Sequence, residues 1–176
     1  YLSIADNSFL DIGTSSFTVE FWVKINNPSG TTWQSFFEFG THNGTGVGGI
    51  GFWWHPAPHW FANLHIGTDT NTTTPSGTYY SFTYQALPWG QSNDWNKFYH
   101  IAIVRNADGS DKSVKLYIDG NLITPNNGGT NGVHGITDTT FLHNVVYSPR
   151  IFRIGYFAAS NYGGWNGYME NFRFIK

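Results

Sequence analysis

The sequence contains no cysteine, which excludes disulfide bonds and thiolate metal sites but does not identify the compartment. Charged residues are also scarce, at 11% of the chain, and the nine Lys and Arg residues are spread out and form no basic patch for phosphates. No hydrophobic run approaches the roughly 18 residues that a membrane span needs. These absences argue against a nucleic-acid partner and against insertion into a membrane.

Aromatic side chains are abundant, at 19% of the residues, with eight Trp, ten Tyr and fifteen Phe. This number exceeds what the core of a 176-residue chain needs, so we expect some rings at the surface. The length suits one domain with a full hydrophobic core. Because the chain begins with Tyr1 and not with methionine, we expect residues 1–176 to be a single domain taken from a longer surface protein.

The region 98–123 carries the clearest strand pattern in the chain. Apolar and polar side chains alternate along two runs, 98–105 and 114–119, as they do in β-strands. Asp108-Gly109 lies between the two runs and Asp119-Gly120 closes the second, and both dipeptides favour tight reversals. The pattern predicts a meander of antiparallel strands near the middle of a sheet.

The same alternation recurs along the rest of the chain. It predicts further strands at 1–5, 17–25, 34–40, 49–55, 61–67, 79–85, 151–157 and 167–175. No segment shows the apolar spacing of an amphipathic helix. Many short strands separated by turn signals are typical of an all-β sandwich or barrel. The predicted core consists of Val19, Phe21, Val23, Ile101, Ile103, Leu116, Ile118, Ile154 and Phe172.

Several stretches resemble one family of domains. They are YLSIADNSFLDIGTSSFTVEFWVK at the start, DWNKFYHIAIVRN and VKLYIDGNLI in the middle, and FRIGYF and GWNGYMENFRFIK at the end. Their sequence and order are similar to laminin-G-like, concanavalin A-like jelly-roll domains. The resemblance implies a two-sheet antiparallel jelly-roll sandwich over residues 1–176. That superfamily includes lectins, carbohydrate-binding modules, glucanases and adhesion domains, so the fold alone does not define the function.

Glycoside hydrolysis requires two carboxylates on one surface, and the carboxylates of this sequence do not form such a pair. The Glu-x-Asp pattern of the related glucanases is missing, and most aspartates lie in predicted turns. Glu20 is expected to pair with an arginine, with Arg105, Arg153 and Arg173 as the candidates. We therefore predict a protein that is not an enzyme and has no catalytic residues.

The sequence does not identify the ligands of a metal ion. His55 and His59 are the closest histidines, but two prolines between them prevent a helix and no third zinc ligand is evident. Calcium is compatible with the oxygen-rich loops, and the family resemblance also implies it, but no residue spacing specifies a site. No cofactor is certain.

An aromatic cluster marks the segment that departs from the family pattern, between Trp33 and Trp95. Pyranose rings stack on flat aromatic side chains, and their hydroxyls bond to short polar side chains. Since neighbouring strand residues point to opposite faces, we expect one ring of Trp53 and Trp54 to be exposed. The predicted ligand-binding residues are Trp53, Trp54, His55, Trp60, Trp89, Asn93, Asp94 and Trp95.

Three functions remain open at this point. The leading one is a non-catalytic, lectin-like module that binds a glycan or polysaccharide on an extracellular, cell-surface or virion protein. The alternative is a structural or adhesive domain of a phage or cell-surface assembly that binds protein, including neighbouring subunits. The weaker alternative is a polysaccharide hydrolase, which the scattered carboxylates disfavour.

Overall fold

A computed structural model describes residues 2–5, 8–26, 33–42, 47–56, 61–67, 79–84, 87–89, 97–107, 114–124, 151–156 and 162–176 of the chain. These residues form β-strands and one short 3-10 helix, Ser8–Leu10. None of the described helical structure is long and apolar enough to cross a membrane. The prediction of an all-β chain is confirmed.

The strands agree closely with the alternation in the sequence. They are β1 (Leu2–Ile4), β2 (Phe17–Ile25), β3 (Trp33–His42), β4 (Val47–His55), β5 (Phe61–Gly67), β6 (Tyr79–Tyr84), β7 (Tyr99–Arg105), β8 (Val114–Ile118), β9 (Asn121–Ile123), β10 (Phe152–Ile154), β11 (Tyr162–Gly163) and β12 (Gly167–Ile175). Strands β2, β5 and β12 have the predicted bounds. The short β11 is not among the predicted strands.

The strands form two sheets. One has seven strands in the order β1-β10-β3-β4-β5-β6, with β11 pairing in parallel with β3. The other has five strands in the order β12-β2-β7-β8-β9. All other described pairings are antiparallel. The architecture is the predicted antiparallel jelly-roll sandwich.

The core lies between the inner faces of the two sheets. Strand β2 alternates between buried and partly exposed residues along its length, and β7 and β8 do the same. The ring of Phe21 in β2 stacks on that of Phe172 in β12, with ring centroids 5.2 Å apart. It also packs edge to face on Phe37 of the opposite sheet, with ring centroids 5.8 Å apart. Seven of the predicted core residues are buried, and Ile154 and Phe172 pack against the core while partly exposed. The core prediction is confirmed.

Strands β7, β8 and β9 form the expected meander, while the predicted Asp108-Gly109 reversal lies outside the described residues. Strand β7 is central in the five-stranded sheet, as predicted, whereas β9 lies at its edge. Asp119 and Gly120 connect β8 to β9 with positive φ angles of 49° and 77°. These are the two positive angles that a type I′ hairpin turn requires, so the predicted turn is confirmed.

A β-bulge in β3 shapes the seven-stranded sheet. The pairing of β3 with β4 shifts between Ser35 and Phe37, which leaves Phe36 as the extra residue. Phe36 and Phe37 both contact the inward Phe21, at 5.8 Å each. The bulge therefore turns two consecutive phenylalanines towards the core and restores the alternation beyond it, so that Glu38 lies on the outer face.

Candidate functional site

The outer face of the seven-stranded sheet carries a group of aromatic and histidine side chains that we call the outer aromatic cluster: Trp33, Trp53, His55 and His65. Cross-strand register produces it. Strand β3 pairs Ser35 with Trp53, so Trp33 and His55 come next on the same face. The rings of Trp33 and His55 meet edge to face at 4.3 Å, and those of Trp53 and His65 also at 4.3 Å.

Gly51 allows this arrangement. A Cβ atom at Gly51 would collide with the Trp53 indole, so the indole lies across the bare glycine backbone. Trp33 packs on the same indole with ring centroids 6.3 Å apart. Trp53 is 1% exposed, while Trp33 and His65 are partly exposed. The surface that a ligand can reach on this cluster is therefore made by Trp33 and His65.

An ion pair with a buried carboxylate and a partly exposed arginine lies next to the cluster. Glu38 is paired with Gly51 in register, and its carboxylate accepts a 3.2 Å hydrogen bond from Arg153 Nη1. The same nitrogen donates to the carbonyl oxygen of Gly40 at 3.0 Å. Since the Glu38 side chain is only 2% exposed, charge and hydrogen bonding fix this carboxylate beside the aromatic rings.

The structure corrects the expected exposure of the tryptophan pair. Trp54 belongs to the hydrophobic core on the inner face, and Trp53 points the other way but is covered by Trp33 and His65. Neither ring is exposed. Trp89 is also in the core, edge to face with Trp54 at 6.0 Å and Tyr99 at 5.2 Å. Trp54 and Trp89 therefore offer no ring face to a ligand.

Of the predicted binding residues, the structure places only Trp53 and His55 in the outer aromatic cluster. Trp60, Asn93, Asp94 and Trp95 lie outside the described residues, as does His59. Trp33 and His65, the other two members of the cluster, are not among the predicted site residues. The signal that identifies them is cross-strand register, which a single strand pattern does not contain.

The described carboxylates Glu20 and Glu38 are engaged with arginines on opposite sides of the sandwich. Glu20 accepts a 3.3 Å hydrogen bond from Arg173 on the outer face of the five-stranded sheet, which confirms the predicted pairing with an arginine. Arg105 instead donates to the Gly13 carbonyl at 3.0 Å. Glu20 and Glu38 thus do not form the acid and nucleophile pair of a glycosidase.

The described residues do not assemble a metal site from side chains. Within these ranges, no three His, Asp or Glu side chains come together to hold an ion. Calcium needs six to eight oxygen ligands, and the loop residues Asp69, Asp94, Asp108, Asp111 and Asp138 are outside the part of the chain that the structure describes. The expectation that calcium is compatible with these loops therefore stays a prediction.

Comparison with known families agrees with the fold. The laminin G family model of the concanavalin A-like lectin/glucanases superfamily matches residues 1–176. The chain belongs to this superfamily. No curated protein matches this superfamily member significantly.

Solved structures with a similar fold include three kinds of domain. Mouse laminin alpha1 domains LG4-5 share 13% identity and a TM-score of 0.63, over 100% of this chain and 40% of that one. The CBM40 of a Ruminococcus gnavus sialidase, bound to alpha2,6 sialyllactose, shares 12% identity and a TM-score of 0.55, over 94% and 83%. The botulinum neurotoxin DC binding domain, in complex with rat synaptotagmin II, shares 14% identity and a TM-score of 0.53, over 85% and 30%. This superfamily member thus spans less than half of the laminin and neurotoxin structures.

Proposed function

We propose that this superfamily member is a non-catalytic carbohydrate-binding module of an extracellular, cell-surface or virion protein. The observation that carries the proposal is the outer aromatic cluster, in which partly exposed Trp33 and His65 flank the buried Trp53. An indole offers the flat apolar surface on which the C–H face of a pyranose stacks. A histidine ring nitrogen can bond to a sugar hydroxyl.

The rigidity of the cluster supports the same function. Trp53 is wedged between Trp33 and His65, and the Glu38–Arg153 pair is fixed beside it by hydrogen bonds. A preorganised surface loses little conformational entropy when a ligand binds. Trp60, Asn93, Asp94 and Trp95 are proposed to complete the site, because specificity is usually carried by loops on a fixed scaffold. The similar fold of a CBM40 bound to sialyllactose is consistent with this proposal.

A second candidate function, attachment to a protein partner, is favoured by one observation. An apolar cleft of about 330 Å³ lies between β1, the 3-10 helix, β10 and β12. Its wall includes Leu2, Ile4 and Phe9, which are 61%, 46% and 62% exposed. Exposed apolar side chains at an edge strand are typical of a contact between subunits.

The first test is a glycan-binding screen of the purified domain, with and without calcium. For a glycan that binds, Trp33→Ala should weaken affinity at least tenfold, which corresponds to about 1.4 kcal/mol. Leu122→Ala is the control, because Leu122 is exposed on the opposite sheet. Urea unfolding checks that each variant is folded, and Trp33→Tyr, which keeps a ring, should retain most of the affinity.

Two outcomes would contradict the proposal. If no glycan is retained under either condition, the carbohydrate function is wrong, and a protein partner at the apolar cleft becomes the better explanation. If a glycan binds but a folded Trp33→Ala variant binds it normally, the outer aromatic cluster is not the site. Release of reducing sugar from β-glucans would show instead that the domain is a hydrolase.

A further inference from the structure

The outer face of the five-stranded sheet also presents exposed aromatic rings, which the sequence pattern did not single out as a site. Trp22 of β2 is 39% exposed and Tyr168 of β12 is 59% exposed. In register, Trp22 is opposite Glu170 and Tyr168 is opposite Lys24. The two rings are therefore diagonal neighbours on one face of adjacent strands, at a spacing that long aromatic side chains bridge.

Polar side chains surround Trp22 and hold one another in place. His100 is opposite Trp22 on the other side, with ring centroids 5.1 Å apart. His100 Nε2 lies 3.6 Å from a Glu20 carboxylate oxygen, and the second Glu20 oxygen accepts a 3.3 Å bond from Arg173 Nη1. We call this surface, made of Glu20, Trp22, Lys24, His100, Tyr168, Glu170 and Arg173, the Trp22 platform.

The composition of the platform favours a sugar over a protein as its ligand. The centre of a protein–protein interface is depleted in charged residues, and charges lie at its rim. Here the most central ring, Trp22, has Glu20 and Lys24 as its neighbours on β2 and Glu170 across the strand pair. A pyranose uses both kinds of group at once, because its C–H face stacks on the indole while its hydroxyls bond to carboxylates and cations.

The charge of the platform favours a neutral sugar. Glu20 and Glu170 contribute two negative charges, and Lys24 and Arg173 contribute two positive charges. Glu20 and Arg173 are already bonded to each other, and the Lys24 ammonium lies 6.0 Å from the centre of the Tyr168 ring. No excess of positive charge is left to attract a sulfate or a sialic acid carboxylate.

We infer that the Trp22 platform is a second glycan-binding surface, specific for a neutral polysaccharide and independent of the outer aromatic cluster. Because the two surfaces lie on opposite sides of the sandwich, a domain that uses both can hold two polysaccharide chains. Adjacent sugar units of one chain would contact Trp22 and Tyr168. Binding through both surfaces at once raises the overall avidity of the domain for a polysaccharide, although the affinity of each surface is unchanged.

Affinity electrophoresis of the folded domain tests this inference. The gels contain hydroxyethylcellulose, galactomannan or soluble starch as neutral polysaccharides, with heparin as the anionic comparison. We expect at least one neutral polysaccharide to retard the domain more than heparin does. Trp22→Ala should weaken that retardation at least tenfold, and Tyr168→Ala should weaken it to a lesser degree. Leu122→Ala, an exposed apolar position of the same sheet near its far edge, should have no effect.

The outcomes separate this inference from the proposed function. If Trp33→Ala abolishes retardation and folded Trp22→Ala does not change it, the inference is wrong and the outer aromatic cluster stands. Loss with Trp22→Ala alone supports the platform and contradicts the other site. Failure of all three neutral polysaccharides to retard the domain overturns the inference, and so does stronger retardation by heparin. Trp22→Phe, which keeps an aromatic face, should recover part of the binding if stacking is the cause.

Discussion

Gly120 is the residue at which backbone conformation has the clearest energetic consequence. Its φ of 77° suits glycine, and the space around it is open, since a Cβ atom there would meet nothing within 4 Å. Gly120→Val should therefore destabilise the protein by about 1 to 3 kcal/mol through backbone strain alone. The unfolding midpoint in urea measures this loss.

Asparagine provides the matched control at the same position. Asn adopts positive φ more readily than a β-branched residue, so Gly120→Asn should cost much less than Gly120→Val. Asp119 is kept in both variants, because its side chain accepts a 2.8 Å hydrogen bond from the His100 backbone N–H and ties the turn to β7. Equal midpoints for the two variants would show that strain at this φ does not limit stability.

At the scale of elements, the Glu38–Arg153 ion pair joins two directly opposed residues of β3 and β10. The Glu38 side chain is 2% exposed and that of Arg153 is 15% exposed. Replacing Arg153 with leucine removes the countercharge of a buried carboxylate, which typically costs about 3 to 5 kcal/mol. We expect Arg153→Leu to lower the free energy of unfolding by about that amount, measured by urea denaturation.

The double variant distinguishes charge burial from lost packing. Glu38→Leu combined with Arg153→Leu leaves no buried charge, so it should recover most of the stability that Arg153→Leu loses. Glu38→Leu alone completes the double-mutant cycle. A double variant no more stable than Arg153→Leu would mean that side-chain packing, and not the carboxylate, sets the cost at this strand pair.

At the scale of the whole molecule, the buried Tyr84 makes the free energy of unfolding decrease at alkaline pH. Tyr84 is 1% exposed, and burial raises the pKa of its hydroxyl well above the usual value. The unfolded chain loses this proton at about pH 10, while the folded chain keeps it. The contribution of the protonated Tyr84 hydroxyl to the free energy of unfolding is therefore fully present below that pH. As the pH rises further, the free energy of unfolding falls by up to about 1.4 kcal/mol per pH unit.

Tyr84→Phe isolates this contribution from the other ionisable groups. Urea midpoints of the parent and the variant, measured from about pH 8 to about pH 11, should run in parallel up to about pH 10 and then converge or cross as the parent loses stability faster. A constant difference over the whole range would show that Tyr84 ionises equally in the folded and unfolded states.

The sequence by itself determined most of the strands and the class of fold. Strands β2 and β12 can be predicted from sequence because successive side chains point to opposite faces. Burial of one face therefore makes apolar residues recur at every second position. Asp119-Gly120 is readable because the turn requires positive φ at adjacent positions. Both signals are local, and their outcome depends little on the rest of the chain.

Only the tertiary structure decided which rings reach solvent and which residues meet. The alternation correctly placed Trp53 and Trp54 on opposite faces but did not show that Trp33 and His65 cover Trp53. That coverage depends on the register between strands separated along the chain, and a shift by one residue would move every side chain to the other face. The parallel pairing of β11 with β3 and the position of Trp22 between His100 and Glu170 depend on register in the same way. Register is decided when the sheets pack together, and the pattern within one strand does not contain it.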